Sequence, residues 1–188
     1  MNGGAVLAGA GVVALVAFAR ARARAGVANG AGASTGDAVT GRVAGRYALS
    51  QADADAFYVE VLGQLGLASS PNRLRFMRAW RLAEGAEATW NPFNTTWAGT
   101  KAPGVRSSRY NSAGVGNYAT RVDGMAATVK TLQLRYYADL RARLQRDDTP
   151  ELVAQSADLR TWGTGAGVSR MLAAFPGAIP YRTPLFGV

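Results

Sequence analysis

The chain has 188 residues, 48% of them hydrophobic, which suits one domain of ordinary size plus an extension. It has no histidine and no cysteine, which excludes His/Cys zinc sites, Cys–His nucleophiles, Ser–His–Asp triads and disulfides. The net charge of +9 suits an anionic partner such as nucleic acid, an anionic membrane or an acidic cell-wall polymer, although solubility alone also accounts for it.

The first 24 residues predict an apolar anchor helix with a basic flank. Residues 3–19 carry no charge, and Arg20, Arg22 and Arg24 follow directly. A secretory signal has its positive charge before the apolar run, so the order favours an uncleaved anchor or a helix buried in an assembly. Residues 25–46 are small and rich in glycine, which is typical of a flexible linker.

The structured domain is expected over residues 47–175 and begins with two helices. Ser50 is a suitable N-cap for the first, which should end near Gly66. The second is expected to run from about Pro71 to Ala83. Glu84 follows Trp80 by four residues, so its side chain should lie beside the indole.

The rest of the domain predicts a mainly α fold with one long connection. Residues 85–117 are rich in Gly, Asn, Thr and Ser, and predict a long irregular loop or a short hairpin of the kind that often carries function. Residues 176–188 form a Pro-rich tail. The remaining helices are expected at 121–134, at 136–146, from Thr149-Pro150-Glu151 to a break at 162–165, and at 166–174.

Glu84 is the acid whose predicted surroundings suit catalysis. Apolar neighbours raise the pKa of a carboxyl group, and a general acid that cleaves a glycosidic bond needs such a shift to hold its proton near neutral pH. The alternative is that Glu84 only accepts hydrogen bonds from the backbone of residues 94–96. Glu87 should be exposed and Asp123 starts a helix, so neither is a convincing second carboxylate.

A single carboxyl group narrows the substrate class. Enzymes that use the substrate's own acetamido group as nucleophile, or that close an internal anhydro ring, work with one acid. Both routes are confined to N-acetylated amino sugars, which points to peptidoglycan or chitin.

The order of several motifs resembles the bacterial glucosaminidase and lysozyme-like superfamily. These motifs are Glu84, Asn91-Pro92-Phe93-Asn94, Tyr110-Asn111-Ser112, and the segment 124–128 with Leu132. Members of this superfamily carry a catalytic Glu at a helix end, then an Asn-x-Phe loop, a Tyr-x-Ser segment and a helix with small residues and Leu.

Finer details are similar to the lysozyme-like domains in tail or virion proteins of phages that infect high-GC bacteria. They are Asn-Pro-Phe-Asn-Thr-Thr at 91–96, Tyr-Asn-Ser-x-Gly-Val-x-Asn-Tyr at 110–118, and Trp-Gly-Thr-Gly at 162–165. The resemblance covers about residues 50–172. Gly85-Ala86 departs from the small polar pair that is common after the Glu of lytic transglycosylases.

The resemblance implies a role for each matching position, and no metal or cofactor is expected. Glu84 would be the general acid/base, and Tyr110 and Tyr118 would stabilise the oxocarbenium-like charge or an oxazolinium intermediate. Core packing is the alternative for the tryptophans, and groove-wall structure for the tyrosines. The implied sugar-binding positions are Asn91, Asn94, Thr95, Trp90, Trp97 and Trp162.

Three functions follow in order of preference. The first is a virion- or membrane-associated hydrolase of peptidoglycan glycan strands that opens the wall locally during phage entry. Residues 3–19 would contact a membrane or other virion proteins, and the location would be the virion or the cell envelope. The second is a structural virion or membrane protein that keeps a lysozyme-like shape without turnover.

The third and least favoured function is binding of nucleic acid. Two groups of arginines could meet phosphates, although they scatter round their helices and match no known reader motif. They are Arg73, Arg75, Arg78 and Arg81 on one helix, and Arg141, Arg143 and Arg146 on another.

Overall fold

The computed structural model describes residues 50–85, 88–96 and 107–181, and this part of the chain is mainly helical. The predicted anchor 1–24, the linker 25–46, Glu87, Trp97 and residues 182–188 lie outside the described residues. The helices are α1 Gln51–Gln64, α2 Pro71–Glu84, α3 Arg121–Leu132, α4 Ala138–Gln145, α5 Pro150–Ala154, α6 Ala157–Trp162 and α7 Gly165–Ala174, with a 3₁₀ turn at Arg135–Tyr137 and two strands, β1 Ser107–Arg109 and β2 Gly116–Tyr118.

Hydroxyl caps set where the first three helices begin. Ser50 and Ser70 accept from the backbone N–H groups of Asp53 and Arg73, each at 3.1 Å. Thr120 caps α3 in the same way. Each cap satisfies one of the N–H groups that a helix leaves without an internal partner, so these starts are encoded locally.

Helix α2 lies at the centre of the core and packs most closely against α7, with further contacts to α5 and α1. Phe76, Met77 and Trp80 are fully buried on it, as their spacing predicts. Because α2 is enclosed, its last residue, Glu84, emerges between packed elements rather than on an open surface.

A short hairpin follows the loop after α2. Strands β1 and β2 pair antiparallel, with Ser107 opposite Tyr118 and Arg109 opposite Gly116. The hairpin is joined to the loop by Gly116 N–H to the Thr95 carbonyl at 3.1 Å, and by a second bond from Tyr118 N–H. The predicted connection 85–117 therefore contains a hairpin where it is described.

The predicted fifth helix is in fact two, α5 and α6. The chain breaks at Ser156, whose buried hydroxyl accepts from Asp158 N–H at 3.2 Å and starts α6. The break also lets the Asp158 carboxylate accept from Leu140 N–H in the first turn of α4, at 2.8 Å. This cap between separate helices is not visible in local sequence.

Arginine side chains close the C-terminal ends of neighbouring helices. Arg73 donates to the carbonyls of Leu144 and Gln145 at 2.7 and 3.2 Å, at the end of α4. Arg75 donates to the carbonyl of Phe175 at 3.2 Å, just after α7. Carbonyls in the last turn of a helix lack the usual internal partners, and the guanidinium groups add hydrogen bonds there, beside the bond that the Leu144 carbonyl also accepts from Asp147 N–H.

All seven arginines considered for phosphate binding donate hydrogen bonds within the domain. Each guanidinium group therefore has at least one carbonyl or carboxylate partner within the domain. The partners are carbonyls for Arg73, Arg81 and Arg141, carboxylates for Arg78 and Arg146, and both for Arg75 and Arg143.

Within residues 50–85, 88–96 and 107–181, none of the helices is long and apolar enough to cross a membrane.

Candidate active site

Glu84 is the last residue of α2, and the helix ends there because of Gly85. Gly85 adopts the left-handed conformation, with φ of 56°, and its N–H bonds to the carbonyl of Arg81 at 3.1 Å. A glycine takes this conformation without steric cost. Gly85 therefore sets the end of α2 and the point at which the chain leaves Glu84 for the loop.

Two uncharged side chains hold the Glu84 carboxyl group. The indole Nε1–H of Trp80 donates to Oε1 at 3.1 Å, one helical turn away. The Asn94 amide donates to Oε2 at 3.1 Å and also lies 3.2 Å from the Glu84 carbonyl oxygen. The carboxyl thus joins the end of α2 to the loop 88–96.

The sequence leaves open that Glu84 only accepts hydrogen bonds from the backbone N–H groups of residues 94–96. The first two of these N–H groups bond elsewhere. The N–H groups of Asn94 and Thr95 bond to Asn91, at 3.3 and 2.8 Å. Asn94 reaches Glu84 through its side chain, from a left-handed backbone with φ of 52°.

Aromatic rings enclose the same carboxyl. The Trp80 ring lies 4.4 Å from that of Phe93 and 4.7 Å from that of Trp162, which it meets edge-on. The indole N–H of Trp162 donates to the Phe93 carbonyl at 3.2 Å. These contacts pack the indole that donates to Glu84 between two other aromatic rings, which restricts its position.

The environment raises the pKa of Glu84 from 4.5 to about 7. Burial is the main cause, because it disfavours the charged carboxylate. Hydrogen bonds from Asn94, Thr164, Trp80 and Trp162 act in the opposite direction and limit the rise. A carboxyl with this pKa exchanges its proton near neutral pH, as an acid/base catalyst must.

Thr164 and Tyr137, which are not among the predicted site residues, also interact electrostatically with Glu84. The Thr164 hydroxyl is buried and lowers the pKa of the Glu84 carboxyl. It makes no hydrogen bond of normal geometry within the described structure. Thr164 precedes α7 yet does not cap it through its side chain. Burial raises the pKa of Tyr137 to about 12, with further contributions from Tyr136, Asp158 and Glu84.

Helix packing brings Thr164 to the site. In the first turn of α7, a Cβ on Gly167 would lie 3.3 Å from the Cβ of Ala83, the residue before Glu84. Eighty residues separate Thr164 from Glu84 in the chain. The signal available in the sequence was the Trp-Gly-Thr-Gly segment, whose left-handed Gly163 ends α6 and turns the chain into α7.

Asn91, predicted to shape the groove, is fully buried and bonds only to backbone in the described structure. Its amide donates to the carbonyls of Thr95 and Gly116 at 2.9 and 2.8 Å, and its oxygen accepts from Thr95 N–H at 2.8 Å. It therefore ties the loop to the hairpin, and any effect on a ligand passes through the loop.

Thr95 and Tyr118 pair with each other inside the domain. Their hydroxyl oxygens are 2.7 Å apart, and both residues are buried. Burial raises the pKa of Tyr118 to about 12, against the effect of the Thr95 hydrogen bond. In this arrangement the pair supports the loop that carries Asn94.

The other implied residues differ in exposure. Tyr110 is 42% exposed, and its N–H closes the hairpin turn onto the Val115 carbonyl at 2.7 Å. Trp90 is partly buried with φ of 50°, whereas Trp162 is 8% exposed and packs in the core. Of the implied aromatic residues that the structure describes, Tyr110 and Trp90 thus have surface to offer a ligand.

Asp123 is occupied at the start of α3. Its carboxylate accepts from the Thr120 hydroxyl at 2.7 Å, and the Asp123 N–H donates to the oxygen of that hydroxyl. Over the described residues there is no group of three or more His, Cys, Asp or Glu side chains that could hold a metal ion.

No match to this chain is found among protein-family models, curated proteins or solved structures.

Proposed function

We propose that this domain is a lysozyme-like hydrolase of peptidoglycan glycan strands in which Glu84 is the general acid/base. One observation carries the proposal: a carboxyl group at a helix end, enclosed by aromatic rings, with a pKa raised to about 7. The order of motifs along the chain supports the same assignment.

The uncharged donors around Glu84 support an acid role. Other acids in this domain pair with arginine. The Asp55 carboxylate, for example, accepts from Arg78 at 2.9 Å. Glu84 is instead met by an indole, an amide and a hydroxyl. A neighbouring cation would hold the carboxyl ionised, whereas these groups allow it to keep a proton near neutral pH.

In the proposed reaction, protonated Glu84 donates its proton to the glycosidic oxygen as the bond to the anomeric carbon breaks. The acetamido oxygen of the N-acetylated sugar attacks that carbon and gives an oxazolinium ion. Glu84, now a carboxylate, takes a proton from the water that opens this ion, so the acid is regenerated. One carboxyl group suffices for both steps, and the substrate is an N-acetylated amino-sugar polymer.

Trp80 and Asn94 position the acid in this scheme, and Tyr110 and Trp90 are the proposed sugar contacts. The rigid setting of Trp80 between Phe93 and Trp162 keeps the carboxyl in one orientation. Such preorganisation lowers the cost of reaching the transition state.

The proposed setting is a virion or a cell envelope, where the enzyme would open the wall locally during phage entry. Support comes from the motifs at 91–96 and 110–118 and from the uncharged segment 3–19. Residues 3–19 would contact a membrane or other virion proteins.

The test is lysis of purified cell walls by the full-length protein and two variants. Glu84→Gln keeps the shape of the side chain but cannot donate a proton, so it should lose at least about a thousandfold in activity, as loss of the acid predicts. Glu151→Gln, which changes an exposed acid paired with Arg75, should retain activity. Inactive wild type on walls from several hosts would instead favour the structural-protein alternative.

A further inference from the structure

A row of aromatic rings leads from Glu84 to the surface of the domain. The ring of Trp80, whose indole N–H donates to Glu84, lies 4.7 Å from the ring of Trp162. The Trp162 ring lies 5.1 Å from that of Tyr137, and the Tyr137 ring lies 5.1 Å from that of Tyr136. All of these separations between ring centres are in the contact range of aromatic side chains. We call these four residues the aromatic row.

Tyr136 is the exposed end of the aromatic row. It is 50% exposed, whereas Tyr137 and Trp162 are each 8% exposed. Among the aromatic residues that the structure describes, only Tyr110 and Tyr136 are exposed. Single exposed side chains are common on proteins and need no ligand. Tyr136 differs because its ring is continuous with the packing around the candidate acid.

The backbone around Tyr136 is held in place before any ligand binds. The Leu134 carbonyl accepts from Tyr137 N–H at 3.0 Å and from the Arg141 guanidinium at 2.9 Å. The 3₁₀ turn that carries Tyr136 also packs against α6, the helix that ends at Trp162. A ring supported in this way loses little conformational freedom when it contacts a ligand.

The two carboxylate oxygens of Glu84 face different parts of the site. Oε1 accepts from Trp80, the first member of the aromatic row, and Oε2 accepts from Asn94 in the loop 88–96. The sugar contacts proposed above belong to this loop and to the hairpin. A polymer that is cut within its length occupies both sides of the acid, so a further sugar contact is needed on the side of the row.

We propose that the exposed ring of Tyr136 binds a sugar of the glycan strand, at a subsite on the Trp80 side of Glu84. This inference rests on the proposed function, because it states where the same substrate extends. The C–H face of an amino sugar is apolar and packs flat on an aromatic ring, while its hydroxyl and acetamido groups stay hydrated. The phenol hydroxyl can also exchange hydrogen bonds with the sugar hydroxyls.

The test measures how tightly the full-length protein binds a peptidoglycan glycan fragment of six sugars, freed of its peptides. All proteins carry Glu84→Gln, so the fragment is not cut, and calorimetry gives the Kd. Tyr136→Ala should weaken binding about tenfold, as truncation of an aromatic contact residue predicts. Tyr136→Phe keeps the ring and should keep most of the affinity. Leu152→Ala, at a residue that is 44% exposed on α5, should bind like the parent.

A second measurement does not depend on the folding of Tyr136→Ala. In the Glu84→Gln parent with labelled tyrosine rings, nuclear Overhauser effects should connect the Tyr136 ring protons to C–H protons of the bound fragment. A residue that only supports Tyr137 from outside would show no such contact.

The outcomes separate this subsite from the role of Glu84. Equal affinity in the parent and Tyr136→Ala, absence of the Overhauser contact, or a parent that does not bind the fragment would each overturn the subsite. The role of Glu84 is judged independently, by wall lysis in wild type and its loss in Glu84→Gln. Lysis that depends on Glu84, together with unchanged fragment affinity in Tyr136→Ala, would therefore refute the subsite and support the proposed function.

Discussion

The indole N–H of Trp80 donates to the Glu84 carboxylate oxygen Oε1 at 3.1 Å across one turn of α2. The same indole ring packs 4.4 Å from Phe93 and 4.7 Å from Trp162, so it cannot rotate without disturbing the core. The acid is therefore oriented by a donor that is itself held rigidly.

The raised pKa of Glu84 predicts that its contribution to stability falls as pH rises. Below the unfolded value of 4.5 the carboxyl is protonated in both states, so it costs nothing. Between 4.5 and about 7 the unfolded chain ionises while the folded domain keeps its proton, which favours unfolding. Above about 7 the full penalty applies, on the order of 3 kcal/mol.

Glu84→Gln should therefore be more stable than wild type at pH 8 and about equally stable at pH 4. Urea unfolding at both pH values measures this, with Glu151→Gln as the control for an exposed acid. Contrary evidence would be a Glu84→Gln variant that is less stable than wild type at pH 8.

Removal of the Thr164 hydroxyl should raise the pKa of Glu84. That hydroxyl favours the ionised carboxyl, so Thr164→Val should move the midpoint above about 7, while Thr164→Ser keeps a donor and stays close to wild type. The Glu84 carboxyl carbon, followed by NMR against pH, reports the midpoint directly. A titration midpoint for Glu84 that is unchanged or lower in Thr164→Val would show that the hydroxyl does not stabilise the ionised carboxyl.

Substitution of Asn91 should mainly lower the stability of the domain, whereas substitution of Asn94 should mainly change the pKa of Glu84. Asn91→Ala loses three buried hydrogen bonds and should cost about 3 kcal/mol. Asn94→Gly keeps the left-handed backbone without strain, should cost about 1 kcal/mol, and should raise the pKa of Glu84, because the lost amide favours the carboxylate. Urea unfolding and the same NMR titration distinguish the two. Equal losses of stability would refute the division of roles.

Gly124 should resist substitution because α3 touches the loop at that point. A Cβ there would lie 2.0 Å from the Trp90 carbonyl oxygen, so Gly124→Ala must displace backbone and should cost about 2 kcal/mol. Gly63 in α1 has open space around it, and Gly63→Ala should stabilise the domain by about 0.5–1 kcal/mol. Thermal unfolding of both variants measures the difference, and a stabilised Gly124→Ala would mean that the contact is loose.

Local sequence signals predict the helices and the Trp80–Glu84 neighbourhood well. Ser50 and Pro71 mark helix starts, and the four-residue spacing between Trp80 and Glu84 places the acid beside the indole. The mainly α fold follows from such signals, because caps and periodicity act over a few residues.

The remainder of the site depends on contacts between distant segments. Thr164 reaches Glu84 because α7 packs against α2, and Asn94 reaches it because its backbone is left-handed. The resemblance suggests Asn91 as a groove residue, and no local signal predicts that its amide bonds to the Thr95 carbonyl and to a hairpin carbonyl, that of Gly116. Likewise, two of the arginines that suggest phosphate contacts, Arg73 and Arg75, donate to carbonyls at the ends of other helices.

The general-acid role of Glu84 is tested most directly by mass spectrometry of the fragments released from purified peptidoglycan. Wild type should release muropeptides cut at a glycosidic bond, with free reducing ends, and Glu84→Gln should release none above the background of enzyme-free walls. Glycosidic fragments released equally by wild type and Glu84→Gln would contradict the role of this residue, and walls left intact by both would contradict the proposed activity.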